Sequence, residues 1–155
     1  MNRRIVFFVG IIFLTFGLVQ CGKIADEPAS GTFGSVYKAL KNNSCQECHV
    51  PTGSATVTSH VELDFTSQTT AYTTLINGTV KGSTSVGTCS GVKLVVPSSP
   101  STSYLAAVLF SSYSHDDFGK TGCTPYSTHN SVDTHVTSTE QKSIIDWISN
   151  GAQND

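Results

Sequence analysis

The sequence predicts a small, mainly α-helical domain with short helices and long loops rich in serine and threonine. Two segments have helical patterning, and a long cysteine-containing middle lies between them. Serine and threonine make up about a quarter of the chain, which indicates an exported protein with a loop-rich surface that is rich in strands or turns, rather than a helical bundle. A length of 155 residues allows one domain with its own core, and no internal repeat divides the chain.

The first helical pattern covers residues 32–43. Its apolar residues are spaced so that they form one stripe along a helix, and they are Phe33, Val36, Tyr37 and Leu40. The stripe is expected to pack against the core. This helix would run directly into a cysteine pair.

The second helical pattern begins at Thr137. Thr137 and Glu140 have the spacing of a capping box, with Thr137 as the N-cap, and Gly151 supplies a stop. The apolar residues between them are expected in the core, and they are Ile144, Ile145, Trp147 and Ile148.

Residues 1–20 have the pattern of an export signal. Arg3 and Arg4 precede an apolar run over residues 5–19, which has signal-peptide length and is short for a membrane span. Cys21 follows directly, and this arrangement resembles a bacterial lipobox in which Cys21 carries the lipid. Gln20 is larger than the usual residue at its position, as in the looser boxes of spirochaete lipoproteins. An ordinary secretory signal and a short membrane anchor are the alternatives.

The predicted domain organisation follows from that signal. Residues 1–20 would be removed, residues 21–32 would form a flexible tether from the lipidated Cys21, and residues 33–155 would form the folded domain. The expected location is the bacterial cell envelope, on the periplasmic face or the outer membrane. Lipid chains would hold the domain at the membrane.

A C-x-x-C-H motif at Cys45, Cys48 and His49 is the most specific chemical signal in the chain. It is the attachment pattern of c-type haem. Two thiols a few residues apart can bond to the two vinyl groups of one haem, and the adjacent imidazole can then be the proximal iron ligand. The alternatives are a structural disulfide, a redox dithiol, and half of a zinc site.

Together with the flanking helices, this motif resembles the small class I cytochromes c. The closer likeness is to monohaem modules of planctomycete, myxobacterial and spirochaete exported proteins, and it covers residues 33–152. The resemblance implies a class I cytochrome c-like fold around one covalent haem c, with Phe33 or Tyr37 packing against Trp147. The further segments that carry it, in order, are Leu63-Asp64-Phe65, Tyr72 to Asn77, Leu94 to Pro100, Ser103-Tyr104-Leu105 opening a helix to about Ser112, Cys123-Thr124-Pro125 and Ile144 to Ala152.

Cys89 and Cys123 remain as an even pair in an oxidising compartment. They are expected to form a disulfide, and two free buried thiols are the alternative.

The sixth iron ligand is where the chain departs from the family. Relatives usually place a methionine, often followed by proline, before the last helix, whereas the only methionine here is Met1. His129 is the preferred replacement and His135 the second choice, and both precede the last helix. An open or water-bound iron is a third possibility, ahead of His60 or His115.

The resemblance implies one-electron transfer between exported redox proteins, without an enzymatic activity. A haem-based sensor with an open iron site and a haem-free, disulfide-stapled surface lipoprotein are the alternative functions. Charged residues make up only 13% of the chain and the formal net charge is −2, so the composition does not indicate nucleic-acid binding.

Overall fold

A computed structural model describes residues 30–52, 62–81, 87–110, 112, 118, 120–124 and 136–155. These residues confirm a small, mainly α-helical fold, and no strand occurs among them beyond an isolated antiparallel bridge between Thr79 and Lys93. Nor does any helix in these ranges have the length and apolar character to cross a membrane. The helices are α1 (Phe33–Asn42), α2 (Gln68–Asn77), α3 (Tyr104–Leu109) and α4 (Ser138–Ser149), with single 3₁₀ turns at Cys45–Glu47, Gly87–Cys89 and Pro100–Thr102.

Helix α1 begins and ends close to where the sequence predicts. The Thr32 hydroxyl caps it by accepting a hydrogen bond from the Ser35 N–H at 3.3 Å. At the other end, the N–H and side-chain amide of Asn43 both donate to the Ala39 carbonyl. The buried face of α1 consists of Phe33, Val36, Ala39 and Leu40, while Tyr37 is half-buried at its edge.

Helix α4 confirms the predicted capping box. The Thr137 hydroxyl accepts from the Glu140 N–H at 3.2 Å, and the Glu140 carboxylate accepts from the Thr137 N–H at 3.0 Å. Gly151 ends the helix with a φ of +93°, a conformation that favours glycine. Of the four apolar residues expected in the core, three are fully buried and Ile145 packs against the core while half-buried.

Helices α1 and α4 pack together through aromatic rings. The Phe33 and Trp147 ring centroids lie 5.1 Å apart, so Phe33 rather than Tyr37 makes this contact. Tyr72 of α2 completes the cluster at 5.2 Å from Phe33. Contacts of this kind add about 0.5–1.5 kcal/mol each beyond the burial of their area. They bring the first and last helices and α2 into one core.

The C-terminal residues close over this cluster. The Trp147 indole N–H donates to the Gln153 carbonyl at 2.7 Å, and the Tyr72 hydroxyl donates to the Ala152 carbonyl at 3.1 Å. The Asp155 carboxylate accepts from the Phe33 N–H at 2.8 Å, which satisfies one of the N–H groups left open at the start of α1.

The folded part begins before residue 33. The Ser30 hydroxyl donates to the Asp146 carboxylate at 3.3 Å. A Cβ on Gly31 would lie 3.2 Å from atoms of Asp146 and Asn150, so the backbone at Gly31 closely approaches α4. The last three residues of the predicted tether, 30–32, therefore contact the domain. Cys21 and the signal lie outside the described residues.

Helix α3 is shorter than the expected span to about Ser112. It ends at Leu109 because Phe110 adopts an extended backbone, with φ −132° and ψ 113°, and is almost completely buried. The expected end of this helix was therefore wrong by about three residues.

Candidate functional site

The C-x-x-C-H motif forms one tight turn at the end of α1. Ser44 leaves the helix in a left-handed conformation, with a φ of 57°, and a 3₁₀ turn follows at Cys45–Glu47. The N–H groups of Cys48 and His49 both donate to the Cys45 carbonyl, at 3.4 and 3.0 Å. This bonding holds the two thiols and the imidazole on a single turn, as the sequence predicts for this motif.

The two thiols of this turn are free and lie in different environments. Cys45 is half-buried and packs against the hydrophobic core, whereas Cys48 is exposed. Burial raises the pKa of the Cys45 thiol to about 11. Redox-active C-x-x-C pairs work through a thiol whose pKa is lowered. The Cys45 environment therefore does not favour Cys45 as the activated thiol of a redox dithiol.

His49 is directed into the protein. The residue is only 9% exposed, and its Nδ1 atom is fully buried. Its ring lies 5.5 Å from the Phe65 ring, centroid to centroid, with 57° between the planes. The Phe65 N–H also donates to the His49 carbonyl at 2.8 Å. Phe65 thus contacts His49 through both its backbone and its ring.

The segment that carries Phe65 is itself attached to two helices. The Tyr37 hydroxyl of α1 donates to the Phe65 carbonyl at 3.3 Å. The Asp64 N–H donates to the Thr74 hydroxyl of α2 at 3.2 Å. The position of Phe65 beside His49 therefore depends on α1, α2 and the motif turn together.

Phe65 belongs to the segments that carry the family likeness, but the sequence pattern does not identify Phe65 as a neighbour of His49 or Tyr37 as a partner of Phe65. The sequence carries only a weak signal that Phe65 is buried. Leu63 and Phe65 alternate around Asp64, which indicates an extended segment with one buried side, and both apolar residues are indeed buried. Nothing in that pattern names the side chain against which they pack.

Cys89 and Cys123 form a disulfide, the pairing that the sequence analysis expected. Their Cα atoms are 4.6 Å apart across a sequence separation of 34 residues. The Thr88 hydroxyl donates to the Gly122 carbonyl at 2.9 Å beside it. The disulfide thus holds the segment before Val92 against residues 120–124.

The remaining predicted site residues lie outside the described residues. They are the two preferred distal ligands, the two less favoured histidines and the lipidation site: His129, His135, His60, His115 and Cys21.

The residues on the motif turn are of the kinds that haem c attachment requires. Two unpaired thiols on one turn can each form a thioether, and a buried imidazole next to them can bind iron. Only one of the three side chains has to be a metal ligand in that arrangement. Within the described ranges, no three His, Cys, Asp or Glu side chains converge as a metal-holding group. No family model, curated protein or solved structure matches this chain.

Proposed function

We propose that this chain is a membrane-tethered monohaem c-type cytochrome that carries single electrons between exported redox proteins. The observation that supports it most is the motif turn, where Cys45 and Cys48 are free and His49 faces the interior on the same turn. The other cysteine pair of the chain, Cys89 and Cys123, forms a disulfide. Two free thiols on one turn are what covalent haem attachment needs.

The residues of the turn would have separate roles. Each thiol, on Cys45 and on Cys48, would add its S–H across one vinyl double bond, so that a carbon–sulfur bond forms and the hydrogen goes to the neighbouring carbon. His49 would bind iron from the proximal side. Haem iron, when bound, supplies the ferric–ferrous couple. The protein excludes water from one side of His49 and holds the imidazole in place.

The proposed fold is that of a class I cytochrome c. In support of it, a helix leads directly into the C-x-x-C-H turn and packs on the last helix through an aromatic pair, Phe33 and Trp147. This is the arrangement that the resemblance implies for the two helices. The described residues between them add α2, α3 and the disulfide.

His129 is proposed as the sixth iron ligand, with His135 as the second choice. A histidine is proposed because the sequence has no methionine after Met1. Two imidazoles generally give haem iron a lower potential than histidine with methionine. A protein ligand at the sixth position would also leave no open position for a small molecule, which suits electron transfer rather than sensing.

Lipidation of Cys21 is proposed to keep the domain at the envelope membrane. The contacts of Ser30 and Gly31 with α4 leave residues 21–29 as the span between lipid and domain. Nine extended residues reach about 30 Å. This length would let the domain meet exported redox partners while it stays attached.

The first test is to express the domain behind an exported signal together with a haem-attachment system. A pyridine haemochrome assay and visible spectra of the oxidised and reduced protein are then recorded. The expected result is one covalent haem with a low-spin spectrum that carbon monoxide does not alter. The variants His129→Ala and His135→Ala then identify the sixth ligand, since only loss of that ligand should produce a high-spin, carbon monoxide-sensitive form.

The other outcomes separate the alternatives. A high-spin wild-type spectrum that changes with carbon monoxide would replace the electron-carrier function with that of a haem-based sensor. A colourless protein without covalent haem, expressed beside a control cytochrome that is loaded normally, would overturn the proposal. It would leave the disulfide-stapled surface lipoprotein.

A further inference from the structure

We propose that Tyr37 is a positioning residue that sets the orientation of the His49 imidazole by acting through Phe65. The inference rests on the proposed function, because it concerns the imidazole that would bind iron. It adds Tyr37 of α1 and Phe65 to the residues that would hold the haem iron in place.

The first contact in this chain of interactions is between Tyr37 and Phe65. The Tyr37 hydroxyl donates to the Phe65 carbonyl at 3.3 Å across 28 residues of sequence. The ring of Tyr37 is only half-buried, and Lys41 lies over it at 5.7 Å from the ring centroid. The core packing of α1 is provided mainly by its other apolar residues. The polar end of Tyr37 therefore has a role distinct from that packing.

The second contact is between Phe65 and His49. The Phe65 N–H donates to the His49 carbonyl at 2.8 Å, which fixes the two backbones relative to each other. The two rings then meet at 5.5 Å with a 57° tilt. Phe65 is 3% exposed, so its ring has little room to turn away. The His49 ring is consequently restricted on the side that Phe65 covers.

The backbone of Phe65 connects the two contacts. The Phe65 N–H donates to the His49 carbonyl, and the Phe65 carbonyl accepts from the Tyr37 hydroxyl. A movement of the Phe65 carbonyl on loss of the Tyr37 hydroxyl would therefore also move the Phe65 N–H and ring against His49. Groups that hold a metal-ligating histidine commonly tune the metal by fixing the ring orientation. The Tyr37 hydroxyl would act in this way at a distance from the iron.

A matched control is available within the same core. Tyr72 is also half-buried and also donates its hydroxyl to a backbone carbonyl, that of Ala152, at 3.1 Å. Its ring packs with Phe33 and Trp147 rather than beside the motif turn. Tyr37→Phe and Tyr72→Phe each remove one hydroxyl and one hydrogen bond of the same type.

The experiment compares these two variants in the haem-loaded protein. Electron paramagnetic resonance g values of the ferric protein report the orientation of the axial imidazole. Tyr37→Phe should shift the g values and the haem-methyl proton resonances, and Phe65→Leu should shift them further in the same sense. Tyr72→Phe should leave both at the wild-type values while it lowers the melting temperature as Tyr37→Phe does. Wild-type g values in Tyr37→Phe, or equal shifts in Tyr72→Phe, would overturn the inference.

A second readout works without haem. In the haem-free chain, the Phe65 ring should shift the NMR resonances of the His49 ring protons, and Tyr37→Phe should move them towards ordinary values. Unchanged resonances would contradict a positioning role. If the wild-type protein takes up no haem, the proposed function fails, while this NMR comparison still decides whether Tyr37 positions His49.

Discussion

The two cysteine pairs of the folded domain differ in how far apart they lie in sequence and in what the fold does with them. Cys45 and Cys48 share one turn and remain free, whereas Cys89 and Cys123 are bonded across 34 residues. A crosslink over a long loop removes much entropy from the unfolded chain, and one over three residues removes little. The distant pair therefore suits stabilisation, and the free local pair suits the haem attachment proposed above.

The largest effect is expected when the two free cysteines of the motif turn are removed. Cys45→Ser with Cys48→Ser should abolish covalent haem, because no thiol on the turn can then form a thioether. A haem-stained denaturing gel and a pyridine haemochrome assay measure this directly. Cys89→Ser with Cys123→Ser is the matched control and should keep its covalent haem. Covalent haem that persists in the first variant would contradict the assignment of the motif.

Removal of the distant pair should have the opposite consequence. Cys89→Ser with Cys123→Ser should lower the free energy of unfolding by about 3–4 kcal/mol, the chain-entropy value for a loop of this length. Urea unfolding measures the change, and wild-type protein treated with a reductant should show the same loss. A decrease below about 1 kcal/mol would indicate that the disulfide contributes little.

Gly78→Ala should weaken the fold next to the disulfide segment. An added Cβ would lie 2.3 Å from the Thr74 carbonyl oxygen and 2.5 Å from Leu94 Cδ1. The Leu94 N–H also donates to the Gly78 carbonyl at 3.1 Å, so the backbone has little freedom to retreat. We expect a loss of about 1–3 kcal/mol, typical of overpacking, with the haem spectrum unchanged.

The neighbouring Asn77→Ala is the control for that variant, since Asn77 is exposed. It should change the free energy of unfolding by no more than about 0.5 kcal/mol. Equal effects of the two substitutions would show that the close approach to Leu94 is not the cause.

The smallest expected effect is at Glu140, which joins α4 to the end of α1 next to the motif turn. Its carboxylate accepts from the Asn42 side chain at 3.1 Å as well as from Thr137. Burial raises the pKa of Glu140, but the hydrogen bonds from Thr137, Asn42 and Asn43 outweigh it and hold this pKa below its ordinary value. The ionised carboxylate therefore stabilises the folded state.

That stabilisation is fully present above the ordinary glutamate pKa and is lost as pH falls through the lower pKa of the folded state. Glu140→Gln keeps the capping shape but not the charge, so it should cost about 0.3–1 kcal/mol at neutral pH. Urea unfolding at several pH values should show the difference from wild type narrowing in acid. A difference that stays constant with pH would rule out the charge as its source.

Local signals explain why α1 and α4 could be predicted well. Thr32 and Thr137 cap their helices through neighbours three residues away, and such contacts are visible in the sequence. The end of α3 could not be placed as well, because the burial of Phe110 depends on the surrounding core. The distal histidines remain predictions of the sequence, since they lie outside the described residues.

The sequence by itself determined the motif turn and the two capped helices through local patterns, and it indicated the pairing of Cys89 with Cys123 through the number of cysteines. The tertiary structure decided that Phe33 rather than Tyr37 meets Trp147. It also placed the Phe65 ring beside His49 and the Tyr37 hydroxyl on the Phe65 carbonyl. The physical reason is the range of the interactions. Caps and turns depend on residues a few positions apart, whereas ring packing and the contacts of His49 depend on how distant segments fill one core.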